Sequence, residues 1–330
     1  MLPTITLNKL DIGYIQNKRQ TVVISNINES LKSGELTCLL GANGVGKSTL
    51  LRSISAFQPI LAGDIKILDK SIEKYSANQL AKVISIVLTQ RPKVFNMTVK
   101  ELVATGRTPY TDFWGTLNSN DTTAIEQALE DIDITHLKNR YINTLSDGEK
   151  QKALIAKALA QDTPIILLDE PTAFLDYPSK VEVLQLLQEL THKRNKTVLL
   201  STHDMELAYQ IADKIWLFTK DRELITGAPE YLALNGTIDH FFDTSKLFFD
   251  QSSGLFKVRN TIKGTVHINS TPHIYPHISR ALERLGYIHQ EESKIDVTVV
   301  CDSPLSIQVV YEDQKYMVHT IAGLRELDIF

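Results

Sequence analysis

The stretch GANGVGKST, residues 41–49, decides the fold, because it places a glycine-rich turn directly between an apolar segment and a helical one. The preceding run LTCLL, residues 36–40, predicts a buried strand, and residues 48–54 continue as a helix. Gly41, Gly44 and Gly46 let the backbone turn so that successive N–H groups point to one place. This arrangement is typical of a phosphate-binding loop, the P-loop.

Individual positions of the turn predict the chemistry of its ligand. The helix N-terminus adds partial positive charge, and Lys47 is placed to reach the β- and γ-phosphates of a nucleoside triphosphate. The Ser48 hydroxyl is placed to bind Mg²⁺. Asn43 and Thr49 complete the contacts predicted for this segment. An ordinary glycine-rich turn is the alternative. It would require the residues of the P-loop motif to occur by chance between a strand and a helix.

Composition bounds the class of protein. The chain has 330 residues, of which 43% are hydrophobic and 22% charged, and this favours a globular protein of two domains. The net charge of −4 does not favour electrostatic binding of the whole protein to nucleic acid or anionic lipid. We therefore expect no nucleic-acid partner. No export signal and no apolar window near about 18 residues are evident. With only Cys38 and Cys301, the cytosol is the expected compartment.

Hydrophobic periodicity predicts a parallel α/β sheet, together with an antiparallel β region and a helical subdomain. Short alternating segments over residues 4–40 predict an antiparallel β region, with Tyr14 in its first turn. Helical periodicity over residues 98–160 predicts an inserted helical subdomain. The predicted strands after the P-loop are residues 63–68, 83–88, 164–170, 197–201 and 214–218. Because strands and helices alternate there, the sheet is expected to be largely parallel.

A polar, glycine-containing stretch at residues 250–254 predicts a domain boundary, with a first domain over 1–250 and a second over 255–330. The second domain is predicted to be a small α+β sandwich of order βαβββα. Its predicted elements are a strand at 264–268, a helix from Pro276 closed by Gly286, strands at 295–300, 306–311 and 316–318, and a last helix.

The histidines of the second domain bear on two hypotheses for its role. His273 and His277 have the i, i+4 spacing that can chelate a metal on a helix. Pro276 argues against a metal site, because it is expected to start the helix and to leave His273 outside. Metal sensing and a regulatory or dimer-stabilising module without a ligand are the two hypotheses, and the second is favoured.

A second motif supplies acids for the predicted phosphate site. The run IILLDE, residues 165–170, is an apolar strand that ends in two carboxylates, the Walker B arrangement. Asp169 is predicted to bind the Mg²⁺ shell. Glu170 is predicted to orient and deprotonate the attacking water, because consecutive residues at a strand end project differently. An acidic strand end that merely meets solvent is the alternative.

The run LSDGEKQ, residues 145–151, resembles the LSGGQ signature of ABC-type ATPases and lies just before Walker B, as in that family. Over residues 4–245 the resemblance implies further roles. Tyr14 corresponds to the aromatic residue that stacks on adenine, Gln90 to the residue that senses Mg²⁺ and the water, Asp176 to a contact across the dimer, and His203 to the switch histidine. Tyr14, Gln90 and His203 also have plain structural alternatives as packed or strand-end residues.

The resemblance implies an α/β P-loop NTPase fold of the ABC type, with a RecA-like core, antiparallel β region and helical subdomain. It also implies a head-to-tail homodimer that sandwiches ATP. Ser146 and Glu149 form a capping-box pattern, so the Ser146 hydroxyl and the Gly148 backbone are the expected donors to the ATP of the partner copy. Asp147 and Glu149 depart from the signature, and Asp147 is expected to point sideways, offset by Lys150 and Lys152.

Within this class, residues 98–110, TVKELVATGRTPY, resemble the importer subunits for iron–siderophore, haem and cobalamin uptake. That resemblance implies ATP hydrolysis coupled to a separate integral membrane permease, which is expected to dock on residues 90–111, and indirectly to a substrate-binding protein. The implied location is peripheral, at the cytoplasmic face of the inner (plasma) membrane. A non-transport ABC ATPase of cluster assembly, repair or translation is the main alternative, and an exporter half without its membrane domain is a second.

Overall fold

The computed structural model describes residues 3–16, 19–88, 96–219, 221–242, 246–250, 254–302 and 305–329. The chain divides into two compact units, residues 1–237 and 238–330. The division therefore lies earlier than the stretch at 250–254. Strands β11 (Leu247–Asp250) and β12 (Leu255–Val258) pair antiparallel on either side of that stretch, so both of its flanks belong to one unit.

The core of the first unit is a six-stranded sheet of order β10-β9-β3-β8-β7-β6. Its strands are β3 (Leu36–Gly41), β6 (Ile84–Val87), β7 (Ile165–Asp169), β8 (Thr197–Ser201), β9 (Lys214–Phe218) and β10 (Leu224–Gly227). All neighbours pair in parallel except β10, which is antiparallel at one edge. Every residue of β7 and β8 is buried, which explains their unbroken apolar runs and confirms the predicted parallel sheet.

Helices connect and cover these strands. They are α1 (Lys47–Ile54), α2 (Ala77–Ala81), α6 (Tyr177–His192), α7 (Met205–Ile211) and α8 (Pro229–Leu234), with α9 (Thr237–Phe242) at the division between the units. Helix α1 packs on β3 and β7, and α6 packs on β3 and β8. Because β3, β7 and β8 run in parallel, their carboxyl ends meet at one edge of the sheet, where open α/β folds place their ligands.

An antiparallel sheet of order β2-β1-β4-β5 accompanies this core. Its strands are β1 (Pro3–Gln16), β2 (Arg19–Lys32), β4 (Ala62–Ile67) and β5 (Lys70–Ser71). The antiparallel region is confirmed, but the placement of Tyr14 in a turn was wrong. Tyr14 lies within β1, opposite Thr21 of β2, because the first two strands are longer than their alternating segments suggested.

The helical subdomain consists of α3 (Val99–Ala104), α4 (Ser119–Asp131) and α5 (Asp147–Ala160), which pack against one another. Short 3₁₀ segments at residues 72–74, 105–110, 135–137 and 142–144 lie in the loops of the first unit. Thr98 starts α3 with a reciprocal capping box to Glu101, as Ser146 does for α5 with Glu149. These local signals explain why the helical region could be located from sequence.

The second unit contains a five-stranded sheet of order β14-β13-β15-β16-β17. Its elements are β13 (Gly264–Asn269), α10 (Tyr275–Leu285), β14 (Tyr287–His289), β15 (Ile295–Asp302), β16 (Leu305–Tyr311), β17 (Gln314–Val318) and a 3₁₀ segment Ala322–Glu326. Gly286 closes α10 in the left-handed region, as predicted. Strand β14 was not predicted, because it is only three residues long, and the predicted last helix is a short 3₁₀ segment.

The histidines of the second unit do not form the helical metal site considered above. Helix α10 begins at Tyr275, so His273 lies outside it and has a carboxylate oxygen of Asp302 at 3.4 Å. In the described part of the chain, no group of three or more His, Cys, Asp or Glu side chains could hold a metal ion. Over the same residues, none of the helices has the length and apolar content needed to span a bilayer.

Candidate active site

The turn at residues 41–49 joins the end of β3 to the start of α1, as its sequence predicts. Gly46 precedes α1 with φ +125°, and no side chain caps the helix. A Cβ at Gly46 would lie 2.8 Å from the Cγ1 atom of Val23, so this position requires glycine. At Gly44 a Cβ would meet nothing within 4 Å, so that side of the turn is open. The uncapped N–H groups of α1 can therefore bind an anion.

Lys47 is held inside this turn. Its side chain is buried, and its ammonium group donates to the carbonyl oxygens of Gly41 at 2.7 Å and Ala42 at 3.2 Å. Burial lowers the pKa of Lys47, while the nearby carboxylates of Glu170 and Asp169 act in the opposite direction. The lysine is thus positioned between the loop and the two acids, where it can exchange backbone acceptors for phosphate oxygens.

The two acids follow the neighbouring strand β7. Asp169 is its last residue and is buried, and it accepts a hydrogen bond from the Ser201 hydroxyl at 2.7 Å. Glu170 has φ +52°, in the left-handed region. Its N–H donates to the carbonyl oxygen of Ser201 at 3.2 Å and to the hydroxyl oxygen at 3.0 Å. The Glu170 side chain is 24% exposed whereas Asp169 is buried, so the two carboxylates lie in different surroundings.

Ser201 is a residue of this site that sequence reasoning missed. It is the last residue of β8 and wholly buried, and its register partner in β7 is Asp169. The only available signal was a hydroxyl at the carboxyl end of an apolar strand, two residues before His203. Because strand register is set by tertiary pairing, the sequence did not indicate which side chain the hydroxyl would meet.

His203 lies just beyond the end of β8 and is exposed over 63% of its side chain. Its Nδ1 atom is 3.8 Å from a carboxylate oxygen of Glu170, which is longer than a hydrogen bond. The histidine and the acid therefore share one edge of the sheet. A short rotation of either side chain would allow contact with each other or with a ligand between them.

The residues of the P-loop line a cleft of about 200 Å³ together with Tyr14 and Glu170. The full lining is Tyr14, Val23, Asn43, Gly44, Gly46, Lys47, Ser48, Thr49 and Glu170. Tyr14 is 43% exposed, and its hydroxyl group lies 2.8 Å from the Thr49 hydroxyl, which anchors the ring at the cleft. Among these residues, only Val23 was not predicted.

The donors at this cleft fit a nucleotide with a hard divalent cation. Ser48 supplies a hydroxyl oxygen in the cleft lining, and the buried Asp169, whose charge acts on Lys47, supplies carboxylate oxygens behind it. Mg²⁺ prefers such oxygen ligands over nitrogen or sulfur. The open helix N-terminus and Lys47 supply positive charge for phosphates. The third residue predicted for the metal, Gln90, lies outside the described residues.

The signature segment forms the start of α5. Ser146 accepts a hydrogen bond from the Glu149 N–H at 3.2 Å, and the Ser146 N–H donates to the Glu149 carboxylate at 2.7 Å. The hydrogen bond from the Ser146 N–H holds the pKa of the Glu149 carboxyl below its usual range. Asp147 is 60% exposed and pairs with Lys150 at 3.5 Å, as expected. Lys152 instead pairs with Glu182 at 3.2 Å.

The predicted signature contacts line a second cavity, of about 470 Å³, separate from the P-loop cleft. It includes Ser146, Gly148 and Asp176. Asp176 caps α6 by accepting a hydrogen bond from the Ser179 N–H at 3.1 Å. The predicted nucleotide contacts of one copy therefore lie in two separate cavities. None of the described signature residues lines the P-loop cleft.

Comparisons with known proteins agree with this geometry. The sequence profile of the ABC transporter family matches residues 24–173. An uncharacterized ABC transporter ATP-binding protein of Methanocaldococcus jannaschii is 36% identical over 251 residues, which are 76% of this chain and 85% of that protein. The chain belongs to the family of ABC transporter ATP-binding proteins.

Two further relatives of this ABC protein are informative. The iron(3+)-hydroxamate import ATP-binding protein FhuC of Bacillus subtilis is 38% identical, over 62% of this chain and 75% of that protein. A bacterial ABC transporter cassette solved as a dimer superposes with a TM-score of 0.61 and 27% identity, covering 68% of this chain and 98% of that one. The chain is thus an ABC ATPase whose cofactors are ATP and Mg²⁺, with the P-loop fold that the sequence predicted.

The unusual acid of the signature gives a first testable prediction for this ABC ATPase. We expect Asp147→Gly to hydrolyse ATP as fast as the parent or faster, because the exposed carboxylate already pairs with Lys150 and is not needed at the ligand. The free energy of unfolding should fall by about 0.5–1 kcal/mol, since the first helical turn loses an acid and gains a glycine. Steady-state phosphate release measures the rate, with Asp147→Asn as the matched control. Slower hydrolysis in Asp147→Gly would contradict this expectation.

Proposed function

We propose that the chain is the ATP-hydrolysing subunit of an importer for iron–siderophore, haem or cobalamin complexes. The observation that carries the proposal is the likeness to an iron(3+)-hydroxamate import subunit over 62% of this chain. The importer-like segment at residues 98–110 supports it. In this role, closure of a nucleotide-bound dimer would be transmitted to a separate permease.

In the proposed hydrolysis, each residue at the sheet edge has one task. Lys47 and the N–H groups of α1 would bind the phosphates, Ser48 and Asp169 would hold Mg²⁺, and Tyr14 would stack on adenine. Bound Mg²⁺ supplies charge neutralisation at the phosphates. Glu170 would accept the proton of the attacking water, and His203 would contact the γ-phosphate. Gln90, which lies outside the described residues, stays predicted to sense Mg²⁺ and the water.

The homodimer is supported by the two separate cavities of one copy. The P-loop cleft holds the contacts on one side of the nucleotide, whereas Ser146, Gly148 and Asp176 lie at the other cavity. A second copy in head-to-tail orientation would bring its signature to the first copy's P-loop. ATP then lies within the interface and stabilises it, because each copy completes the site of the other.

An apolar groove of about 720 Å³ supports the proposed docking of a permease. It lies between the sheet and the helical subdomain, and its lining includes Phe57, Leu80, Ile86, Leu88, Pro109 and Leu154. Thr105, Gly106 and Thr108, from the segment predicted to dock, also line it. Phe57 is 66% exposed there. Such a groove suits an amphipathic helix of a partner.

We propose a peripheral location at the cytoplasmic face of the inner (plasma) membrane, where the permease presents its cytoplasmic helices. A substrate-binding protein outside the membrane would deliver the cargo to the permease. Detergent extraction followed by affinity capture of the full chain tests this proposal. Recovery of a polytopic membrane protein is the expected result, whereas recovery of ribosomes or assembly factors would favour a non-transport ABC ATPase.

One substitution localises the docking surface. Phe57→Asp is expected to reduce the captured membrane protein by about tenfold or more, because a charge replaces an exposed aromatic side chain within the groove. Phe113→Asp is the matched control, since Phe113 is 94% exposed and does not line the groove. Equal capture by Phe57→Asp and the parent would place the docking surface elsewhere.

A further inference from the structure

The Ser201 hydroxyl joins the two acids at the end of β7. The residue is wholly buried, its Oγ atom is 2.7 Å from the Asp169 carboxylate, and the Glu170 nitrogen is 3.0 Å from the same Oγ atom. Removing this hydroxyl is expected to be costly, because it would leave two polar groups without a buried hydrogen-bond partner.

The direction of these two bonds follows from the chemistry of the partners. A backbone N–H can only donate, so Glu170 donates to the Ser201 oxygen. With its oxygen accepting from that N–H, the Ser201 hydroxyl donates its own proton to a carboxylate oxygen of Asp169. The hydroxyl is therefore held in one orientation, and it in turn restrains the Asp169 carboxylate and the left-handed backbone of Glu170.

We propose that Ser201 is a positioning residue, which orients the Asp169 carboxylate for Mg²⁺ and fixes the start of the Glu170 side chain for proton transfer. This inference rests on the metal and base roles proposed above for those two acids. Groups that hydrogen-bond a metal ligand commonly set its orientation and basicity, and their loss weakens metal binding or activity. A hydroxyl that only stabilised the pairing of β7 with β8 would not change the response to Mg²⁺.

The test compares Ser201→Ala with the parent in the full chain, with a fluorescent ATP analogue as the probe. We expect the Mg²⁺ concentration that gives half-maximal binding to rise by about 10-fold, in the range typical of lost metal-supporting hydrogen bonds. Binding of the analogue in the presence of EDTA should be unchanged, because Lys47 and the helix N-terminus do not contact Ser201. At saturating Mg²⁺, kcat should remain below the parental value, since Glu170 has also lost a restraint.

Two variants separate positioning from a structural effect. Ser201→Thr keeps the hydroxyl and is expected to restore Mg²⁺ half-saturation to within about threefold of the parent. Thr197→Val is the matched control, because Thr197 is also wholly buried on β8 and its hydroxyl donates to the carbonyl oxygen of Lys32 at 3.2 Å. It should lower thermal stability without moving the Mg²⁺ response. An equal shift in Thr197→Val and Ser201→Ala would overturn the proposal.

Asp169→Asn distinguishes failure of this inference from failure of the proposed function. If Asp169→Asn weakens the Mg²⁺ response while Ser201→Ala keeps the parental one, only the role of Ser201 is refuted. If Asp169→Asn also keeps the parental response, the metal role of Asp169 is refuted and the Ser201 role with it. Should Ser201→Ala fail to fold, Ser201→Cys fills nearly the same volume with a weak donor and is expected to show the same loss. A parental Mg²⁺ response in a folded Ser201→Cys would refute the proposal.

Discussion

Glu170→Gln is expected to lower the turnover of ATP by about 10²–10⁴-fold, because an amide keeps the size of the side chain but cannot accept the proton of the attacking water. The structure favours this residue as the base. Glu170 lines the P-loop cleft, and the more buried Asp169 beside it is already engaged by Ser201. Single-turnover and steady-state phosphate release would measure the loss.

Nucleotide binding should survive this substitution, because Lys47 and the N-terminus of α1 are unchanged. In the presence of ATP, the Glu170→Gln variant is therefore expected to accumulate as a dimer, which size-exclusion chromatography can detect. Glu189→Gln serves as the control for charge, since the Glu189 carboxylate forms an exposed pair with Lys193 at 3.1 Å. Hydrolysis by Glu170→Gln at the parental rate would refute the assignment of the base.

Arg107→Ala is expected to destabilise the first unit by about 3–5 kcal/mol, because it leaves a buried carboxylate without its cationic partner. The Arg107 Nε atom lies 2.8 Å from the Asp121 carboxylate, which is only 1% exposed. The Arg107 Nη1 atom also donates to the carbonyl oxygen of Ala160 at 2.8 Å, so one side chain connects α4 with the end of α5. Urea denaturation followed by circular dichroism would measure the change.

Two comparisons show whether burial is the cause. Arg140→Ala removes an exposed arginine of the same subdomain, 3.6 Å from Glu149, and should cost about 1 kcal/mol or less. The double variant Arg107→Met with Asp121→Asn removes both charges, and the amide oxygen can still accept the hydrogen bond that the Asn118 N–H now donates to Asp121 at 3.0 Å. It should be more stable than Arg107→Ala alone. Equal losses from the two arginines would contradict a special role of the buried pair.

In the importer-like pattern at residues 98–110, some residues are explained by local spacing and others only by tertiary contacts. Its Thr98 and Glu101 cap a helix, and that role follows from local spacing. At Gly106 a Cβ would lie 2.3 Å from the carbonyl oxygen of Lys157, and Arg107 meets Asp121 from another helix. Those two positions are required by contacts with distant parts of the chain, which spacing alone does not reveal.

The positions of the predicted site residues in the fold could be anticipated for a related reason. The P-loop and Walker B residues are tied to strand ends, and parallel pairing brings the ends of β3, β7 and β8 to one edge. Ser201 could not be recognised, because its role depends on register with Asp169 and on a left-handed backbone at Glu170. Likewise, composition did not reveal that β11 and β12 pair across residues 250–254, and the units divide earlier, between residues 237 and 238.

By itself the sequence determined the parallel α/β core, the helical subdomain and the ATPase family, because strand runs, helix caps and the P-loop are signals between residues near in the chain. Only the tertiary structure decided which side chains meet. It placed Lys47 with both acids, joined Ser201 to Asp169, buried Arg107 against Asp121, and put the signature and the P-loop at separate cavities. Such contacts depend on strand register and helix packing, which join residues far apart in the chain.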